Sequence, residues 1–202
     1  MLTKLLAAPK NSLIWLKMSL GHSLQKIDLP MMPPGHIAVT WAVAEVMAHK
    51  RLDYRWLAVC ALLPDAIDKP LALTAFRDSH SSQNISHALL PHLLLFMVSW
   101  LLWPRALPYI LAVHGHLLAD RQWRKTETFW WPLFGWRRFE QYRFMNTPRA
   151  MVNVYGDILR DHPWVRLVEL LALLYLAWFA ARQRLYRWQT LVSFLKTGRL
   201  PL

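Results

Sequence analysis

Two groups of histidine and aspartate residues sit at the edges of apolar stretches. The first comprises Asp65 and Asp68 in CALLPDAIDKPLAL, followed by His80 and His87 in HSSQNISHALL. The second is His116 and Asp120 in HGHLLAD. A carboxylate beside an apolar run is costly unless something compensates for it. Imidazole and carboxylate together suit Zn²⁺, with Mn²⁺ and Fe²⁺ as further candidates. The chemistry these residues point to is a metal centre at or near a bilayer surface.

Spacing sharpens the set. Asp65 and Asp68 are three apart and share a face of any helix that contains them. Two adjacent carboxylates repel, and a cation resolves the repulsion. The competing account is that Asp68 pairs with Lys69 while Asp65 caps the next helix. His116 and Asp120 are four apart, one turn above the other, where both can hold one ion. Alternatively, Asp120 fixes a histidine tautomer or simply ends the helix. His36 follows Pro33-Pro34-Gly35 at a helix start, a rigidly placed imidazole, and His87 opens an apolar helix. His80, in a serine-rich turn, is an optional or substitute ligand. His92 and His114 are weaker candidates, and His22, His49 and His162 read as surface or interface histidines.

The elements that must position these residues read as helices. DLPMMPPG, residues 28–35, breaks the chain and separates an N-terminal arm from the body. Within the arm, Ser12 to Leu20 has the pattern of an interfacial helix, with Lys17 snorkelling. Helices are predicted over His36–His49, Arg55–Leu63, about Ser86–Trp103 and about Leu107–Trp123. Pro64 is expected to break or open the second and so place Asp65 and Asp68 at its end. Pro91 either kinks the third or marks its start. A last apolar run covers Val165–Ala181. No alternating strand pattern appears, so the fold is predicted to be all-α. The apolar runs predict a compact membrane-associated bundle, with the metal site at helix ends and several short or kinked transmembrane or re-entrant helices. Residues 1–33 form the arm and 34–202 the helical metal-binding domain.

Bulk properties agree with a membrane setting. The chain has 202 residues, 55% of them hydrophobic, with 12 Trp and a formal charge of +12. The mean hydropathy of +0.17 suits a partly embedded protein. Between Arg121 and Arg149, seven Arg or Lys stand against two Glu, among several Trp and Phe. Rings at headgroup depth, with cations on the phosphates of anionic lipid, have this composition. In particular, the Trp130–Trp131 region is expected at headgroup depth. A single-stranded nucleic-acid surface has a similar composition, but no nucleic-acid module accompanies it. Basic segments at residues 50–55, 121–149 and 182–199 favour a cytoplasmic side. The single cysteine, Cys60, excludes an internal disulfide and reads as core packing.

Gly35-His36 with its Ala-rich helix, LLPDAIDKP, SHALL, HLLAD and WPLFG together resemble the family of membrane-bound metal-dependent hydrolases distantly similar to zinc-dependent phospholipases C. The resemblance covers roughly residues 34–135. It implies His36, Asp65, Asp68, His87, His116 and Asp120 as site residues, with Asp68 or Asp120 as base or orienting group. Many relatives read PDxDH; here the carboxylates are three apart and Lys69 takes the histidine position. The implied function is hydrolysis of a phosphoester or amphiphilic lipid-like substrate at a bacterial inner membrane. The alternative is a non-catalytic, metal-stabilised membrane protein that binds a protein partner.

Overall fold

The computed structural model describes residues 31–47, 52–140 and 147–200. The N-terminal arm up to residue 30, with its Ser12–Leu20 segment, and His22 and His49 lie outside the described residues. Eight α-helices and no strand occur among the described residues: α1 Pro33–Met47, α2 Tyr54–Leu73, α3 Leu89–Leu102, α4 Leu107–Ala119, α5 Thr126–Phe129, α6 Pro148–Asp161, α7 Pro163–Arg182 and α8 Trp188–Thr197. Short 3₁₀ turns precede α3, α4 and α5.

Helix α2 is the hub, packing chiefly against α1 and α4. Helix α7 lies on α1, α3 on α4, and α6 on α7. Asp53 caps the start of α2 by accepting from the Arg55 and Trp56 amides. One apolar cluster joins Tyr54 and Leu57 of α2 to Ala44, Ala112, Phe179 and Phe194. A second joins Met32 and Ala72 to Met151, Val154 and Ile158 of α6. Each large side chain buried in this way stabilises the bundle by roughly 1.5–3 kcal/mol. The apolar face of α6, spaced three and four apart at 151, 154 and 158, is what holds it to the body.

Three expectations from the sequence need correction. Pro64 does not end α2. The helix continues through Pro64 and Pro70 over 20 residues, so Asp65 and Asp68 lie inside it. A proline withholds its amide from the carbonyl four residues back, here that of Cys60, and side chains from other elements bond to carbonyls of the same stretch. Here the Pro64 carbonyl accepts from Ser86 Oγ at 2.7 Å and the Ala61 carbonyl accepts from His116 Nδ1 at 2.7 Å. Pro91 falls in the first turn of α3, where a missing N–H is harmless.

The second correction concerns membrane crossings. Among the described residues only α7, 20 residues with a mean hydropathy of 1.7, is long and apolar enough to cross a bilayer. The other apolar runs form shorter helices. The 14 residues of α3 rise about 21 Å, short of a hydrocarbon core of about 30 Å. α2 matches α7 in length, but it carries Asp65, Asp68 and Lys69. The bundle therefore has one candidate span, not several transmembrane or re-entrant helices. It still exposes much apolar surface, including Leu93, Met97, Trp100 and Leu101 on α3 and Leu170, Leu171, Leu173 and Leu174 on α7. Scattered exposed leucines are ordinary, but a contiguous set on this scale marks an interaction surface.

The third correction concerns the aromatic segment after Arg121. Trp131 is buried against Ala88 and Phe139, and its indole N–H donates to the Trp136 carbonyl at 3.1 Å. It is a packing residue. Trp130 and Trp136 are the exposed indoles.

Candidate metal centre

Four elements deliver the polar side chains to one place. His36 stands in the first turn of α1, and Asp65 and Asp68 in the second half of α2. His87 ends the 3₁₀ turn before α3, and His116 lies near the end of α4. Asp120 is the residue that caps α4. His36, Asp68, His87, His116 and Asp120 are all buried.

Asp68 is the anchor of the loop 79–87. Its Oδ2 accepts from the Asn84 amide at 2.5 Å and from His87 Nδ1 at 2.7 Å, and its Oδ1 from the Ser86 amide at 3.0 Å. The same carboxylate thus shapes the 3₁₀ turn and turns the His87 ring. Because Asp68 is an acceptor, His87 Nδ1 carries the proton, and in the neutral ring Nε2 is a bare lone pair. The same logic applies to His116. Its Nδ1 donates to the Ala61 carbonyl, so its Nε2 is also bare.

These two lone pairs face each other at 3.2 Å. Asp65 Oδ1 lies 3.7 Å from His87 Nε2 and 3.9 Å from His116 Nε2. Asp120 Oδ2 lies 3.9 and 3.7 Å from the same two atoms. Four acceptors converge and none of them brings a proton. Two atoms each about 2.1 Å from one tetrahedral ion stand about 3.4 Å apart, so the spacing fits a cation held among them. Two trios, His36–His116–Asp120 and Asp65–His87–His116, have ligand atoms all within 4.8 Å of one another. These two clusters, sharing His116, are capable of coordinating a divalent metal ion.

Further groups hold the ligands in place. The His36 ring stacks on His116, with centroids 3.8 Å apart and planes 11° apart. His36 Nε2 contacts the Met31 carbonyl at 3.1 Å and Asp120 Oδ1 at 3.4 Å, while its Nδ1 is buried with no hydrogen-bond partner. Asp120 also accepts from the Met31 amide at 3.1 Å and from Gln83 Nε2 at 2.7 Å. Lys125 in turn donates to Gln83 Oε1. Glu169 of α7, buried, accepts from the Met32 and Gly35 amides at 2.7 and 3.0 Å. A carboxylate there satisfies the free amides at the start of α1 and opposes its dipole. Gly35 is required at this point: a Cβ would lie 2.7 Å from Glu169 Oε1 and would also strike the Met31 side chain.

Burial pushes His116 down to about 4, His36 and His87 add to the effect, and Asp120 and Asp65 oppose it. The ring is therefore neutral near pH 7, the form a metal needs. Burial raises Asp120, but the hydrogen bond and charge of His36, then His116 and Lys125, outweigh it and hold the carboxyl well below the usual range. Asp65 is likewise lowered: burial opposes the shift, while Lys69, His87 and His116 produce it. Lys69 Nζ sits 2.6 Å from Asp65 Oδ2.

Of the residues singled out from sequence, His36, Asp65, Asp68, His87, His116 and Asp120 come together. Asp68 differs from the rest: it belongs to neither trio, and it orients His87 through Nδ1. Lys69 pairs with Asp65 and not with Asp68. His80 takes a left-handed backbone at φ 52° and belongs to neither trio. His92 and His114 pair with each other, Nδ1 to Nδ1 at 3.3 Å, away from the trios. Sequence reasoning missed Gln83, Asn84, Lys125, Tyr155 and Glu169. For Gln83 and Asn84 a signal existed: two amide side chains within a polar loop ahead of a candidate ligand.

A helical bundle with this much exposed apolar surface and a buried histidine–aspartate centre defines a membrane-associated protein equipped to bind a metal. The model of the YdjM inner membrane protein family matches residues 31–188. The chain belongs to that family, whose members are inner membrane proteins, and the match spans every residue of the centre. No curated protein and no solved structure is significantly similar to it.

Proposed function

We propose that the chain is a metal-dependent hydrolase at the inner membrane, acting on a phosphoester or an amphiphilic lipid-like ester. The observation that carries this reading is the convergence of two bare imidazole nitrogens and two carboxylate oxygens with no donor among them. Asp65, His87, His116 and Asp120 would hold the ion, with His36 beside Asp120; zinc suits this donor set, and Mn²⁺ or Fe²⁺ also fit. A divalent ion bound there supplies Lewis acidity for hydrolysis.

The chain's own residues supply the rest. Asp68 keeps the proton on His87 Nδ1 and the Ala61 carbonyl keeps it on His116 Nδ1, so both Nε2 atoms point inward. Asp68, whose oxygens accept from the Asn84 and Ser86 amides and from His87 Nδ1, orients a ligand, while Asp120 Oδ2 faces both Nε2 atoms. An apolar groove of about 270 Å³ opens between α1 and α4, lined by Val39, Val43, Met47 and Leu111, with His36 at its edge. It suits the apolar part of an amphiphilic substrate. Exposed indoles and basic residues after Arg121 suit anionic lipid.

The test is product release from a panel of phospholipids and simple phosphodiesters. Metal-loaded wild type in mild detergent is compared with the His116→Ala protein. Hydrolysis is expected in the first, lost in the second, stopped by chelator and restored by Zn²⁺ or Mn²⁺. Wild type that holds stoichiometric metal and cleaves nothing in the panel refutes the hydrolytic reading in favour of a structural metal and a protein partner. Equal activity in both proteins puts the activity elsewhere.

A further inference from the structure

We propose that Lys69 and Tyr155 form an anion subsite beside the centre, which binds the phosphoryl oxygens of the ester. This rests on the hydrolytic reading above and adds the substrate's charge class to it. The two oxygens of Asp65 divide between two tasks. Oδ1 faces the histidine nitrogens, at 3.7 and 3.9 Å, while Oδ2 holds the Lys69 ammonium at 2.6 Å. The ammonium therefore stands one carboxylate's width from the point where the ligand atoms converge.

The electrostatics call for such a group. Asp65, Asp68 and Asp120 carry three negative charges, of which a divalent ion in the centre would offset two, and a phosphoester is itself an anion. An uncompensated approach of like charges is repulsive, so a cation at the rim is needed to admit it. Lys125 is buried and committed to Gln83. Lys69 keeps a quarter of its side chain exposed, and an ammonium has three N–H donors, of which Asp65 takes one and the Tyr155 hydroxyl a second, leaving one for a ligand.

Lys69 is also held in place. Its ammonium stands 5.1 Å from the centroid of the Tyr155 ring, a cation–π contact that limits the freedom of a long stem. Tyr155 is placed by α6, whose Met151, Val154 and Ile158 are fixed in the apolar cluster with Met32 and Ala72. A pre-ordered cation loses less entropy on binding a ligand than a free lysine does. The phenol, half-buried at the same rim, offers a neutral donor to a second phosphoryl oxygen. A Lys69 that served only to neutralise Asp65 would not require an aromatic platform from another helix.

The experiment titrates inorganic phosphate into full-length protein in mild detergent at saturating zinc, read by calorimetry, with zinc stoichiometry measured on each sample. The variants are Lys69→Met, Lys69→Arg and Tyr155→Phe. With zinc retained, Lys69→Met should weaken phosphate binding by roughly tenfold or more, since charge-assisted hydrogen bonds are the strong ones. Lys69→Arg should stay within a few-fold of wild type, and Tyr155→Phe should lose roughly three- to tenfold. Equal affinity in wild type and Lys69→Met, or no phosphate binding by the zinc-loaded wild type, overturns the proposal. If Lys69→Met fails to hold zinc, Tyr155→Phe decides: unchanged affinity at full zinc overturns it. Phosphate binding that depends on Lys69 in a protein that cleaves no ester would leave the subsite standing and remove the hydrolase. Ester cleavage that is indifferent to Lys69 would do the reverse.

Discussion

Replacing Asp68 by Asn separates a residue that orients a ligand from a residue that is one. Its carboxylate receives three N–H groups, from Asn84, Ser86 and His87. An asparagine of the same shape offers one oxygen, and its NH₂ must face at least one of those donors. One charge-assisted bond is lost and one buried donor is left unmet, which together cost about 3–5 kcal/mol of stability. His87 also loses the acceptor that keeps its proton on Nδ1. Weakening such a partner typically lowers metal affinity by about 10–100-fold, or roughly 1–3 kcal/mol. The assay is zinc competition against a calibrated chelator at pH 7.5, beside urea unfolding of the metal-free protein. Nitrogen NMR of labelled histidine then reports the His87 tautomer. The expected result is a folded protein of reduced stability, a 10–100-fold weaker zinc site and a mixed tautomer. Wild-type zinc affinity with an unchanged tautomer would refute the orienting role. Complete loss of zinc from a protein that is otherwise as stable as wild type would make Asp68 a direct ligand.

Other perturbations test separate parts of the structure. Gly35→Ala forces a methyl group against Glu169 and the Met31 side chain, and should cost about 1–3 kcal/mol, read as a lower urea midpoint. Saturating zinc at about a hundred times its Kd should stabilise the protein by about 2.7 kcal/mol, and chelator should reverse this in a thermal melt followed by Trp fluorescence; no shift would count against a site formed only in the folded state. His92, whose Nε2 donates to the Ser86 carbonyl at 2.9 Å, is pushed down to about 4, first by burial and then by His114 and His87. Because its folded pKa lies below the unfolded 6.5, its contribution is fully present above pH 6.5 and is lost as pH falls toward 4, by at most roughly 3 kcal/mol. Metal-free wild type should thus lose more stability than His92→Asn between pH 7.5 and 4.5, and equal losses would argue against the shift.

Much of the centre was legible because polar side chains in apolar surroundings need a reason. His36, Asp65, His87, His116 and Asp120 each stand beside apolar residues, and the structure brings them together. Asp68 was legible as a member but not in its role. A spacing of three places it on the same face as Asp65, yet only the path of the loop 79–87 decides that three donors close on it. Pro64 shows the limit of local rules. Read alone it breaks or opens a helix, but in the fold, where Ser86 and His116 bond to carbonyls of the same stretch, it stays inside one. The crossings were overcounted because apolar runs of about 14 residues resemble spans in composition, while their length and packing are settled by partners far along the chain. Tyr155 and Glu169 gave no signal, since each acts on residues of a different helix across a contact that sequence alone does not reveal.

The arrangement of donors explains why such a centre is tolerated in an apolar bundle. Buried carboxylates are costly when unpaired, and each here has donors outside the set of converging ligand atoms. Asp68 takes amides and a ring proton, Asp120 takes Met31 and Gln83, and Asp65 takes Lys69. What is left without a donor is confined to the inward atoms, among them the two Nε2 lone pairs at 3.2 Å. The metal-free fold therefore carries a localised electrostatic penalty, and a cation relieves it at one point. In this geometry metal binding and folding are linked. Glu169 belongs to α7, the one candidate span among the described residues, and grips the first turn of α1 one residue before His36. A shift of α7 that released Glu169 would free the amides of Met32 and Gly35 and loosen the ring stacked on His116. Glu169 thus joins α7 to the helix that carries His36, beside the Tyr175–Glu45 hydrogen bond that links the same two helices.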